Sequence, residues 1–341
     1  MQKKILVVGA GFYGSTMARV LAENNFKVDV IDKRDHIAGN AYDLELESGI
    51  KIHKYGPHIF HTKNKEVVDW LSRFTEWIPY KHKVKAMLSS GELVTLPVNN
   101  ETIRIVGLEN ILDTFYKPYT KKMWGIDPDK LDQNILKRVP VRKDDNEYYF
   151  PDDKFQGLPK NGYSALISSM LDHKNISIKL KRAFTYRLMG NYFHIFNSMP
   201  IDEFFNYKYG FLPYRSIKFH NVTLPCSKIF PVSVVNFTNT SPYTRVTEWK
   251  NFPNHGINEN ETILTYEEPC DFKDNDFERY YPIRDLSNKN VSLYKKYQQE
   301  TPANMTFIGR CGLYVYIDMD QAVSSALALS KKFLASIDKN V

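Results

Sequence analysis

Cysteine is scarce in this chain. The three in 341 residues, Cys226, Cys270 and Cys311, are far apart, and none belongs to a CxxC pair or a Cys/His cluster. That excludes a disulfide scaffold and a structural zinc site, and it points to a reducing compartment. No apolar run approaches the roughly 18 residues of a membrane-spanning helix, so no membrane partner is expected. The apolar run after Lys3-Lys4 is short and ends in a glycine turn with no small-residue cleavage site. It reads as a strand rather than a secretion signal, and the expected location is the cytoplasm. Net charge is +7, yet there is no run of five Lys/Arg, no zinc-finger spacing and no RNA-recognition signature. No nucleic-acid partner is therefore expected. The positive excess suits solvated surface plus a site for a small anion. Repeats and low-complexity segments are also missing.

What is present begins at once. Lys4-Ile-Leu-Val-Val is a short apolar strand running into Gly9-x-Gly11-x-x-Gly14. A helix-compatible stretch follows from Ser15 to Glu23, then a second strand, Lys27 to Ile31, which ends at Asp32. Gly9 permits the tight turn, Gly11 lets the backbone approach a pyrophosphate, and Gly14 lets helix and strand pack closely. The helix N-terminus offers free N–H groups to phosphate, and Asp32 can accept adenosine ribose hydroxyls. The motif leaves NAD and FAD both open.

Further along, Val84–Leu88 and Glu92–Pro97 read as a hairpin turning at Ser89–Gly91. Apolar residues at helical spacing between Thr102 and Trp124 predict a small helical lobe. Asp127-Pro-Asp is a turn or helix-entry signal. Residues 143–154 are polar and acid-rich, a candidate mobile lid. A helix is predicted from Gly162 to Leu171, and strands over Ile176–Leu180 and Phe193–Phe196. Short alternating runs over 215–283 suggest an antiparallel sheet, and Ser287–Glu300 a helix. Thr306–Arg310 reads as a strand ending at glycine. Asp318 then N-caps a last helix through Ala335. This order returns the C-terminus to the nucleotide crevice, so the dinucleotide domain is expected to be discontinuous, and the return favours FAD. The expected class is α/β: a discontinuous Rossmann-like FAD-binding domain (1–78, 155–202, 300–341), an inserted helical lobe (98–148) and an antiparallel sheet domain (79–97, 203–299).

The remaining motifs lie in order along nearly the whole chain. They are Asp32-Lys-Arg34 with Gly39-Asn-Ala-Tyr42, Ile52-His-Lys-Tyr-Gly-Pro-His-Ile-Phe-His-Thr62, Tyr119-Thr-Lys-Lys-Met-Trp-Gly125, Lys137-Arg-Val-Pro-Val-Arg142, Tyr149-Phe150, Gln156-Gly-Leu-Pro159, Pro200-Ile-Asp202, Tyr214-Arg215, Pro242-Tyr-Thr-Arg245, Tyr280-Tyr-Pro282, Gly309-Arg310 and Tyr316-Ile-Asp-Met319. In these the chain resembles the bacterial UDP-galactopyranose mutases. The resemblance implies an isomerase that interconverts UDP-galactopyranose and UDP-galactofuranose for cell-surface polysaccharide. It implies reduced FAD, whose N5 attacks the anomeric carbon and expels UDP. An external reductant such as NAD(P)H and a homodimer are implied too.

It also implies residue roles. Arg138 and Arg245 match the diphosphate arginines, and Arg215 a further substrate-site arginine. Tyr149, Tyr281 and Tyr316 match phosphate-contacting tyrosines. Tyr119, Thr120 and Trp124 match the uridine end, with His82 and Asn236 as further substrate contacts. His58 matches a histidine beside the flavin, with Ile59 next to it. Gly9, Gly11, Tyr13 and Gly14 match the pyrophosphate wrap, Asp32, Lys33 and Asn40 the adenosine side, and Arg310, Asp318 and Met319 the ribityl and flavin end. His53 and His61 read as structural, and the histidines of 36–61 lack metal-ligand spacing. Four departures stand out: a short lobe between Pro97 and Tyr119, Ser198-Met199-Pro200 where the family has Thr-Gly-Pro, an unusually acidic segment after Arg142, and Asp320 where the family has histidine. They keep open a sister mutase for an N-acetylated or deoxy sugar. An amine-oxidase-like flavin enzyme shares only the N-terminal motif.

Overall fold

The computed structural model describes residues 3–125, 141–283, 285 and 287–338. Lys4–Val8 is the central strand of a five-stranded parallel sheet ordered Ile176–Lys179, Lys27–Ile31, Lys4–Val8, His194–Asn197, Met305–Phe307. A central parallel strand is covered on both faces, so it must be apolar throughout. Accordingly Ile5, Leu6 and Val7 are fully buried, each contributing roughly 1.5–3 kcal/mol. The helix Phe12–Glu23 packs one face of this sheet together with Tyr163–Leu171 and the C-terminal helix Met319–Asp338. It starts at Phe12, three residues before the expected Ser15, because Gly11 itself is the N-cap.

The second sheet has seven strands: Tyr281–Pro282, Tyr214–Leu224, Thr262–Asp271, Arg245–Glu248, Val234–Phe237, Val84–Met87 and Leu93–Leu96. The predicted hairpin at 84–97 forms its last two strands. The sheet is not wholly antiparallel, since Val84–Met87 runs parallel to Val234–Phe237. The hairpin reaches the sheet from far earlier in the sequence, so its direction is not set by a turn. A three-stranded sheet joins Phe60–Thr62, Phe155–Pro159 and Trp77–Pro79.

The helical lobe is broken into Asn100–Val106, a π-helical turn at Leu112–Tyr116, and Lys117–Trp124. Gly107, at φ +84°, ends the first piece. Asp127-Pro-Asp and Lys137–Pro140 lie outside the described residues. The acid-rich loop 143–154 carries ion pairs to its neighbours. Glu147 pairs with Lys83, Asp145 with Arg104 and Asp144 with Arg142. Near the C-terminus the strand is only Met305–Phe307, and Gly309, at φ +69°, turns the chain into a short helix, Gly309–Gly312. Asp318 opens the last helix through its carbonyl, which accepts the Ala322 N–H at 2.9 Å, and its own N–H is taken by Gln321 Oε1 at 3.0 Å.

Candidate active site

A cavity of about 920 Å³ lies between the parallel sheet and the seven-stranded sheet. At one end the wall is backbone. Gly9 has φ +101°, and a Cβ there would meet Ser198 Oγ at 2.0 Å. A Cβ on Gly14 would lie 2.0 Å from the Gly9 carbonyl oxygen. The helix N-terminus at Gly11 has no side-chain cap, so its first N–H groups are left for a ligand anion. Asp32 accepts the Ala10 N–H at 2.8 Å and the Arg34 N–H at 3.0 Å. It therefore splints the glycine turn and keeps lone pairs for a ribose. Arg34 lies over the Tyr55 ring at 4.3 Å, donates to Asn40 at 2.9 Å and pairs with Glu278 at 2.6 Å. An uncapped helix end, a turn without room for a Cβ and an acid at the second strand fit the pyrophosphate and ribose of a dinucleotide. Ile59, His58 and Met319 line the same cavity beyond that end.

At the other end the wall is side chains. Asn236, Arg245 and Glu267 are in register on three adjacent strands and form one polar row. Arg245 Nε lies 2.8 Å from Glu267 Oε1, and Glu267 is 1% exposed. Burial alone would lower the arginine's pKa, but Glu267 and Tyr281 outweigh it and hold Arg245 charged. The guanidinium is thus fixed at one edge, with its remaining N–H groups free to fork onto phosphate oxygens. Asn236 Oδ1 is buried and has no partner among the described residues, an acceptor suited to a ligand hydroxyl. Tyr281 and Tyr316 stack at 5.6 Å, and Arg310 covers the Tyr316 ring at 4.6 Å. Burial pushes His82 down to about 3 and His58 down to about 4, with Arg245 adding to both. Both rings are neutral, so among the described residues the cationic charge at this end comes from Arg245 and Arg310.

The cavity collects the predicted cofactor residues Gly9, Gly11, Tyr13, Gly14, Asp32, Lys33, Asn40, His58, Ile59, Arg310, Asp318 and Met319. It also collects His82, Tyr119, Trp124, Tyr149, Asn236, Arg245, Tyr281 and Tyr316. Two predicted substrate residues are not on its wall. Arg215 donates to the Met123 and Lys122 carbonyls at 2.7 and 3.2 Å, capping the helix Lys117–Trp124. Thr120, on that helix, is off the wall as well. Arg138 lies outside the described residues. His61, expected to be structural, lines the cavity instead, with Nδ1 bonded to Asp153 at 2.6 Å and its ring stacked on Phe150 at 3.6 Å. Glu267 was not foreseen, because a lone acid in an alternating strand carries no local signal. Arg34 had one, its place directly after Asp32-Lys33.

Comparison with known proteins fits this geometry. Residues 114–316 match the family model for UDP-galactopyranose mutase, and residues 7–74 match that for an NAD(P)-binding Rossmann-like domain. A Klebsiella pneumoniae protein named "Probable UDP-galactopyranose mutase" is 38% identical, over 98% of this chain and 96% of its own length. The dTDP-fucopyranose mutase of Escherichia coli is 35% identical, over 97% and 98%. The crystal structure of a reduced UDP-galactopyranose mutase superposes with TM-score 0.74 at 16% identity, covering 98% of this chain and 94% of the other. The chain belongs to the UDP-galactopyranose mutase family, and it is an isomerase of the mutase type.

Proposed function

We propose that this protein interconverts UDP-galactopyranose and UDP-galactofuranose on FAD kept reduced by an external donor such as NAD(P)H. The observation that carries the reading is half-buried Arg245 anchored on buried Glu267, with Arg245 lining the same cavity as the glycine turn. When bound, reduced FAD supplies the nucleophile, N5, for the anomeric carbon. The chain's own residues do the rest. The free edge of Arg245 takes the charge that develops on the departing diphosphate. Tyr281, Tyr316 and Tyr149 offer hydroxyls to the same oxygens; Arg138, the second diphosphate arginine that the family resemblance implies, lies outside the described residues. Asn236 Oδ1 accepts a sugar hydroxyl and so sets the sugar's orientation. Neutral His82 at the sugar and neutral His58 beside the flavin add no charge that would compete with Arg245.

Dithionite-reduced enzyme is expected to convert UDP-galactofuranose to the pyranose, with the oxidised enzyme nearly inert. Equal turnover by flavin-free protein would overturn the reading. The similarity to the dTDP-fucopyranose mutase supports one competitor, a mutase for a thymidine-linked deoxysugar. Parallel assays on UDP- and dTDP-furanoses decide between them. A homodimer and a cytoplasmic address accompany the proposal. Among the described residues no helix is long and apolar enough to cross a membrane.

A further inference from the structure

Behind the Gly56-Pro57-His58 turn lies a run of imidazoles, two of which, His53 and His255, have no role in the mutase reading. His255 Nδ1 is 2.8 Å from the Pro253 carbonyl oxygen, and its Nε2 is 3.1 Å from His53 Nε2. His53 Nδ1 is 3.0 Å from the His58 backbone nitrogen. His58 Nδ1 is 2.8 Å from the Gly56 carbonyl oxygen. Hydrogen-bond chemistry fixes every direction. A carbonyl only accepts, so His255 and His58 carry their protons on Nδ1. A backbone N–H only donates, so His53 Nδ1 is an acceptor and its proton is on Nε2. These assignments come from opposite ends of the run, and they agree in the middle: His53 Nε2–H donates to His255 Nε2. Each ring is neutral with one permitted tautomer, and His58 keeps a bare Nε2 at the cavity wall.

The surroundings stiffen the run. His53 and His255 are 2% and 5% exposed. His53 lies 5.1 Å from the Trp249 ring and 5.5 Å from that of Tyr163. The Tyr163 hydroxyl donates to the His58 carbonyl at 3.1 Å, so both backbone groups of His58 are held by side chains. The charges facing the run are Lys51 at His53 and His255, Asp43 at His255 and His58, and Arg310 and Arg245 at His58. Three cations against one carboxylate oppose an added proton, and an added proton would set two donors face to face.

We propose that His53 and His255 are positioning residues which, by this one-way chain of hydrogen bonds, fix the Gly56–His58 backbone and hold the His58 acceptor toward the flavin end of the cavity. The proposal rests on the mutase reading only for the identity of the flavin. Its test compares His255→Leu with His255→Gln in the FAD-loaded enzyme. Glutamine keeps an acceptor for His53 and a donor for Pro253, whereas leucine keeps bulk and neither bond. His255→Leu is expected to shift the flavin midpoint potential and to lower kcat about tenfold, the equivalent of one lost hydrogen bond, with KM within about twofold. His255→Gln is expected to restore both. If His255→Leu does not fold, His255→Phe, which keeps the ring packing against Trp249, is read the same way. Unchanged potential and kcat in the apolar variant, with only melting temperature lowered, would overturn the proposal. A shifted potential in an enzyme that turns over no nucleotide sugar would uphold it and defeat the functional reading.

Discussion

The two ends of the cavity are built by different means. The glycine-turn end is backbone, made within the first 32 residues, with Asp32 splinting the turn it serves. The Arg245 end is side chain, and its polar row crosses three strands whose members are 236, 245 and 267. A backbone site tolerates no added atom but depends on few side-chain identities. A side-chain site tolerates added atoms but fails when one partner is removed.

The largest effect is expected at the backbone end. Gly14→Val would drive Cβ into the Gly9 carbonyl, and the protein should emerge without flavin absorbance or not fold at all. Retained flavin would break the contrast. Next is Arg245→Ala. It strips the phosphate fork and leaves Glu267 buried and unpaired, so calorimetry should show UDP affinity falling by roughly 100-fold. Glu267→Gln should cost less, about tenfold, because the arginine stays while its anchor weakens.

Acid titration comes third. His58 and His255 are held near 4 and His82 near 3, all below the ordinary histidine value of about 6.5. The unfolded chain therefore takes up protons that the fold refuses. Stability is full above pH 6.5 and drains as pH falls toward 4, at up to about 1.4 kcal/mol per pH unit per histidine. Melting temperature followed from pH 7 to pH 4 should drop steeply, and His255→Gln should flatten the curve. A flat wild-type curve would contradict the neutral histidines. The smallest effect belongs to Arg215→Met. It uncaps the helix Lys117–Trp124, costing about 1 kcal/mol in denaturant melts, and leaves UDP affinity unchanged. A large loss of UDP binding would return Arg215 to the substrate wall.

The same contrast explains what was legible beforehand. Gly9, Gly11, Gly14 and Asp32 declare themselves because a phosphate turn must be local, and so must the period of the strands beside it. The 84–97 hairpin and the helix at 163–171 were readable for the same reason. Arg245 could be named only through resemblance to relatives, and Glu267 not at all, since neither choice is dictated by its neighbours in sequence. Arg215 shows the converse case. An arginine in a family motif sits where a helix end also needs a donor, and here the helix takes it. His61 reads as structural from sequence because a histidine in a strand gives no hint of an aspartate 92 positions away.

The order of the parallel sheet has a consequence for biogenesis. Its innermost strand is the first to be synthesised, yet its neighbours are residues 27–31 and 194–197, and the far edge is 305–307. Contacts of such long sequence separation form late and slowly. On a ribosome the glycine turn emerges early, as an exposed apolar strand with only one partner. The nucleotide crevice has no second wall until nearly the whole chain is out. Cofactor capture should therefore follow release from the ribosome, and nascent chains halted before residue 305 should neither retain flavin nor resist protease.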